Sequence, residues 1–245
     1  MAFLEAEQVV VSDPQQPGSL AIELQSLLLA ADGIESFLAE VARRAAGTLD
    51  RAQSCGVTVQ ATPTFRMLGA TTDEFAQRMD EVQYAMDDGP CLTCLREGVP
   101  VLVADIRSER RWPAFVRRGT QEGAGTSLSM PLSVAERTVG ALNLYSRAAN
   151  SLTEADRARA AQFAAQAAGA VALALRLAER EERERHLETA LRSRSVIDQA
   201  MGVLIGQAGI TADEAFEVLR LRSQFLNIKL RDVAAEVIAE ARRQR

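Results

Sequence analysis

Two cysteines three positions apart, in Cys91-Leu92-Thr93-Cys94, are the residues whose type and spacing first invite a chemical reading. The spacing suits a dithiol redox couple or half of a zinc site. Zinc needs four ligands, and the third thiol, Cys55, and the single histidine, His186, supply no familiar second pair. No metal and no cofactor are therefore expected. Free cysteine most often packs as a small hydrophobe, which is the role expected of all three thiols. His186 stands in RHLETALRSR among glutamate and arginine. With no other histidine, a Ser-His-Asp arrangement cannot be assembled, and His186 reads as a surface residue of a charged helix. The remaining candidates are cations. Arg220 and Arg222, then Lys229 and Arg231, fall close together in LRLRSQFLNIKLRDV. Lysine and arginine attract phosphate, and the forked guanidinium also hydrogen-bonds or stacks on bases. Taken singly, each is as readily a solvated helix charge.

The charge distribution sharpens that reading. The chain of 245 residues has a formal net charge of -5, which argues against a nucleic-acid binder that uses its whole surface. From Leu187 onward there are nine Lys/Arg against eight Asp/Glu, a net +1, so the preceding part carries -6. The tail is a near-neutral segment with a local basic patch, inside an acidic protein. Hydrophobic residues at 47% and charged residues at 25% are globular proportions, and the length suits two domains. Few aromatics and abundant alanine favour packed helices. The start, MAFLEAEQVV, carries Glu5 and Glu7 where a secretion signal is apolar. The longest uncharged run, 160–175, is shorter than a bilayer span. A soluble cytoplasmic protein with no membrane partner is expected, with reduced thiols.

These residues need elements to hold them. The SDPQQPG stretch ends a tail covering 1–18. Apolar positions 24, 27, 28, 34, 37, 38, 41 and 45 follow a helical period broken at Asp32-Gly33, which predicts two helices. Short strands are predicted at 55–59 and 64–68 around a Pro63 turn, then a helix over 74–79. DDGP introduces CLTCLREG and the strand VPVLVADI; a short helix over 112–118 and strands at 127–133 and 139–145 follow. Thr153 with Asp156 reads as the cap of a long helix. Leu173, Leu177, Leu187 and Leu191 keep one heptad stripe along it, across a charged stretch where Glu179/Arg183 and Glu181/Arg185 are spaced to pair. Such a stripe predicts a parallel coiled-coil homodimer. Thr211 with Glu214 caps a further helix on which Ala215, Phe216, Leu219 and Leu226 share the buried side, and Asn227 breaks it before Lys229 and Arg231 open the last helix.

Two resemblances follow from these motifs. Ala200 and Gly202 on one helix, Ala215-Phe216, Leu219-Arg220 and Ser223 on the next, and Lys229-Leu230-Arg231-Asp232-Val233-Ala234 opening a third resemble the ANTAR domain, an antitermination module that binds paired RNA hairpins. Ile205 stands where many such sequences carry Met, an exchange expected to change packing only. The element order of residues 33–177, with GPCLTCLREGVPVLVADI and VGALNLYS, resembles a GAF domain. The implied fold is α+β: an antiparallel sheet between helices (19–177), a coiled-coil linker (178–190) and a three-helix ANTAR module (191–245). The implied function is a non-enzymatic regulator whose GAF domain senses or transmits a signal. Its ANTAR pair would clamp two-hairpin leader RNA so that a terminator cannot fold. The RNA face is then expected at Arg194, Arg220, Arg222, Ser223, Asn227, Lys229 and Arg231, and a small-molecule pocket beside Cys91, Cys94, Trp112 and Phe115. Two alternatives stay open: a GAF-type thiol enzyme that reduces methionine sulfoxide, and an adaptor whose cations bind an acidic protein.

Overall fold

The computed structural model describes residues 19–49, 54–61 and 66–243; the tail expected over 1–18 and the Pro63 turn lie outside the described residues. The chain divides into two units, Met1–Glu179 and Arg180–Arg245. In the first, α1 (Ser19–Ala30) and α2 (Ile34–Gly47) part at Gly33, whose φ of 92° is open to glycine and strained for other residues. β1 (Ser54–Ala61) and β2 (Arg66–Thr71) pair antiparallel, with β2 running three residues past the end expected at 68. The carboxylate of Asp73 accepts from Ala76 N at 2.9 Å and starts α3 (Glu74–Met86), about two turns longer at its end than the pattern suggests. The CLTCLREG segment, expected to lead directly into a strand, forms its own helix, α4 (Pro90–Glu97). Eight residues are too few to display a helical period. Its ends are legible in retrospect: Pro90 opens it, where a missing N–H costs nothing, and Gly98 closes it at φ 69°. β3 (Val101–Val103), α5 (Pro113–Gln121), β4 (Thr126–Val134) and β5 (Arg137–Ser146) complete an antiparallel sheet in the order β2-β1-β5-β4-β3.

The strand alternation gives this sheet two different faces. Cys55, Val57 and Val59 of β1, Leu142 and Leu144 of β5 and Leu128, Met130 and Leu132 of β4 form an apolar side. It packs with Phe37, Leu38 and Val41 of α2 and with the first half of α6 (Glu154–Ala208). That helix opens on a reciprocal cap: Asp156 N donates to Thr153 Oγ1 at 3.1 Å and Thr153 N to Asp156 Oδ2 at 2.9 Å. Its buried side is mostly alanine (160, 164, 167, 168, 170, 174) around Phe163 and Val171, so its backbone can approach closely at little cost in side-chain entropy. By length and composition alone α6 has a window apolar enough to cross a membrane, but half of that window is buried in the protein, as a core helix requires. The other face of the sheet carries Thr58, Ser127, Ser129, Asn143 and Tyr145, all buried under α3, α4 and α5.

In the second unit every residue from Arg180 to Arg192 is exposed. Arg185 does not take the expected Glu181 carboxylate; it pairs with Glu182 at 3.1 Å and reaches the Glu181 carbonyl instead, since i,i+3 neighbours lie as close on a helix as i,i+4 ones. Gly209 at φ 69° ends α6. Thr211 and Glu214 form a complete capping box for α7 (Ala212–Leu226), Asn227 ends it in the left-handed region at φ 53°, and α8 (Leu230–Arg243) follows. Ala200, Ala215, Leu219, Val233, Ala234 and Val237 are the buried residues here. Phe216 and Leu226, expected on the buried side of α7, are 42 and 44% exposed. Ala215 and Leu219 already fill the narrow line of contact. Phe216, one position on, is turned about 100° away, and Leu226 is the last residue of the helix.

Candidate functional site

The cations singled out by the sequence all reach the surface of the C-terminal unit, though most of them are engaged there. Arg220 forks onto Glu217 of the same helix, with Nε donating at 2.7 Å. Arg222 crosses to α8 and donates to Glu240 at 3.0 Å and Glu236 at 3.4 Å. These guanidinium groups hold the Glu217 and Glu240 carboxyls below the usual carboxylate range. Arg231 meets Asp232 at 3.3 Å and Arg194 meets Asp198 at 3.9 Å. Lys229 has no ion pair among the described residues and is exposed. Pairs at the surface are screened by water and salt, so a phosphate can compete with the carboxylates for these cations. Ser223 and Asn227 build the turn between α7 and α8. Ser223 Oγ donates to Ile228 O at 2.6 Å, Ile228 N returns to Ser223 O at 3.2 Å, and Asn227 takes the left-handed position. The hydroxyl proton of Ser223 is thereby committed internally, while its lone pair is not. An open groove of roughly 710 Å³ between the ends of α6 and α8 is lined by Gln199, Gly202, Val203, Gly206 and Ile238 among others.

The N-terminal unit holds a different constellation. Asp80 of α3 is 2% exposed and projects onto the polar face of the sheet. Its Oδ1 accepts from Tyr145 OH at 2.5 Å and from Asn143 Nδ2 at 3.1 Å. Asn143 Nδ2 also donates to Thr58 Oγ1 at 3.2 Å, and its Oδ1 accepts from Ser129 Oγ at 2.9 Å. Gln83 Nε2 donates to Tyr145 OH at 2.9 Å, and Gln83 Oε1 accepts from Cys91 N at 2.8 Å, satisfying an orphan amide at the start of α4. Asp80 Oδ2 has no hydrogen-bond partner and lies against Gly56, where a Cβ would collide with it. Burial, helped by Glu81 and opposed by the Tyr145 and Asn143 bonds, raises the Asp80 pKa to about 7. Cys91, Cys94, Trp112 and Phe115, the expected pocket residues, come together beside this network in one buried cluster. They are core there, from 0 to 6% exposed. Burial pushes the Cys94 thiol up to about 12 and those of Cys91 and Cys55 well above their ordinary range. The thiolate is the reactive form, and burial of this kind disfavours it.

A family model described as GAF domain matches residues 31–172, and one described as ANTAR domain matches residues 185–238. The chain belongs to the GAF domain family and carries an ANTAR domain C-terminal to it. No match to a curated protein is found. Solved structures similar to the chain include type II free methionine-R-sulfoxide reductase from Thermoplasma acidophilum, at 14% identity and a TM-score of 0.43, covering 60% of this chain and 94% of that one. The GAF domain of an Acinetobacter phosphoenolpyruvate-protein phosphotransferase is similar at 12% identity and a TM-score of 0.45, covering 63% and 91%. Likeness at that level says nothing about what this chain does. An ANTAR domain behind a GAF domain is the architecture of an RNA-binding regulator.

Two features of these domains carry little signal in the sequence. In the GAF domain Asp80 sits in a helix of ordinary polarity, with nothing local to mark it as buried. A faint signal existed: Thr58, Ser129 and Asn143 fall at the inward positions of otherwise apolar strands. In the ANTAR domain Phe225 is 88% exposed and Leu221 53% exposed. Their spacing from Val218 is the signal, a second apolar line on α7 distinct from Ala215 and Leu219.

Proposed function

We propose that the chain is a cytoplasmic transcription antitermination regulator that acts as a homodimer and whose ANTAR domains clamp the two hairpins of a leader RNA. The observation that carries this reading is the ANTAR match over 185–238, on a unit whose cations reach the surface and pair there with carboxylates a phosphate could replace. Arg194, Arg220, Arg222, Lys229 and Arg231 would meet phosphates, with Ser223 and Asn227 near the loop bases. The GAF domain would supply or relay the signal. Leu173, Leu177, Leu187 and Leu191 are 45, 40, 64 and 68% exposed, and an exposed leucine stripe of this length supports pairing with a second copy. Two modules in a dimer match two hairpins. No observation favours a thiol enzyme, since a buried thiol with a raised pKa has little thiolate to offer.

The test is to recover and sequence RNA that co-purifies with the full-length protein, then measure its binding. Changing Arg220, Arg222, Lys229 and Arg231 together to Ala should abolish tight binding, and each phosphate left without its cation should flatten the log-log salt dependence by about 0.7 to 0.9. A folded quadruple variant that binds as well as the parent at the same salt would sink the reading. Leu187→Glu with Leu191→Glu should lower the mass in light scattering to that of one chain.

A further inference from the structure

The second helix of the ANTAR domain leaves one apolar strip uncovered. Val218, Leu221 and Phe225, three and four residues apart, share a side of α7 and are 44, 53 and 88% exposed. Single exposed leucines are ordinary on a protein surface, but a ring left almost wholly in water at the end of such a strip marks a contact surface. Its placement is firm. Phe225 lies in the last turn of α7, which the Ser223–Ile228 bonds and the left-handed Asn227 fix against the start of α8.

Charge identifies the kind of partner. Residues 223–231 contain Lys229 and Arg231 and no carboxylate, whereas the other end of α7 carries Asp213, Glu214 and Glu217. Lys229 has no ion pair among the described residues, and Arg231 holds only its neighbour Asp232. A ring four residues before Lys229 and six before Arg231 fits a polyanion that presents flat apolar faces, and an unpaired nucleotide has both attributes. Bases splayed from an RNA loop stack on aromatic side chains while their phosphates meet Lys and Arg. Resting on the RNA reading above, we propose that Phe225 is a stacking platform for an unpaired base in the loop of a bound hairpin, with Leu221 continuing the apolar surface under the adjoining nucleotide.

The experiment uses the full-length protein and the RNA recovered with it, resynthesised with 2-aminopurine at each loop position in turn, since stacking quenches that base. The parent should quench one loop position. Phe225→Ala should remove the quench and weaken binding about tenfold or more, with the log-log salt slope unchanged because the cations that meet the phosphates are all still present. Phe225→Trp and Phe225→Tyr should restore both, and Phe225→Leu should restore neither. An abasic residue at the quenched position should make the parent and Phe225→Ala bind alike. The proposal is overturned if Phe225→Leu matches the parent, or if Phe225→Ala quenches and binds as the parent does while the Arg220, Arg222, Lys229 and Arg231 variant no longer binds; in that case the RNA reading stands without it. A parent chain that binds no RNA overturns both. A smaller mass for Phe225→Ala in sedimentation would make the strip a contact between copies and also overturn it.

Discussion

The GAF and ANTAR domains break the ordinary rule of burial in opposite directions. The GAF domain hides polar groups: Asp80, Gln83, Thr58, Ser129 and Asn143 are at most 2% exposed. The ANTAR domain shows apolar ones, with Phe216, Val218, Leu221, Phe225 and Leu226 between 42 and 88% exposed around a buried set of six residues. Buried polar groups are retained where they are hydrogen-bonded, and they make a core exacting about geometry. Exposed apolar side chains contribute little to the fold and are available to a partner. The difference teaches that the two domains should fail differently, the first through disturbed polar geometry and the second through a missing partner or a thin core.

The two largest expected effects fall one in each domain, and the first is that of pH on the GAF domain. Asp80 has a pKa of about 7 when folded, against a carboxyl reference near 3.8. A carboxyl whose pKa is raised by folding binds its proton more tightly in the native state. Its stabilising contribution is therefore complete below about pH 4 and is lost as pH rises through 7. The upper bound is on the order of 4 kcal/mol, from roughly 1.4 kcal/mol per pH unit. Urea midpoints of the GAF transition should fall between pH 5 and 8, and Asp80→Asn should flatten that slope; an equal slope in the variant would detach the effect from Asp80. A loss of comparable size, about 2–5 kcal/mol, is expected for Leu219→Ala, because Leu219 is the largest fully buried side chain of the ANTAR core. Circular dichroism should show the ANTAR helices melting earlier while the GAF transition stays put.

A smaller loss, about 1 to 3 kcal/mol, is expected for Cys91→Ser with Cys94→Ser, because each new hydroxyl enters a buried site. RNA binding should survive, and turnover of a sulfoxide that vanishes in this variant would reverse the comparison by making the GAF interior a reactive site. The smallest effect on stability belongs to Phe225→Ala. An 88% exposed ring supports little of the fold, so the thermal midpoint should move by less than that of Leu219→Ala by a wide margin, with a change within about 0.5 kcal/mol. A large drop would mean that Phe225 is core in the assembled protein.

Much of this was legible in the residue pattern, and the physical reason is local. The caps at Thr153 and Thr211, the stop at Asn227 and the alternation of β4 and β5 depend on neighbours within a few residues, so their types and spacing suffice. What went unread depended on length or distance. α4 is too short to show a period, and the burial of Asp80 depends on Tyr145 and Asn143, more than sixty residues away. The Arg222 bridge to α8 arises only once two helices lie side by side.

The sequence by itself determined the two domain types, the antiparallel α+β order of the first, the helical tail of the second and the position of the basic patch, because hydrophobic period, capping residues and charge are written along the chain. Only the tertiary structure decided which side chains those elements cover. Whether Phe216 and Phe225 are core or surface, and whether Asp80 is hydrated or dry, depends on how much area neighbouring elements can remove from water, a quantity that no residue's own neighbours in sequence carry.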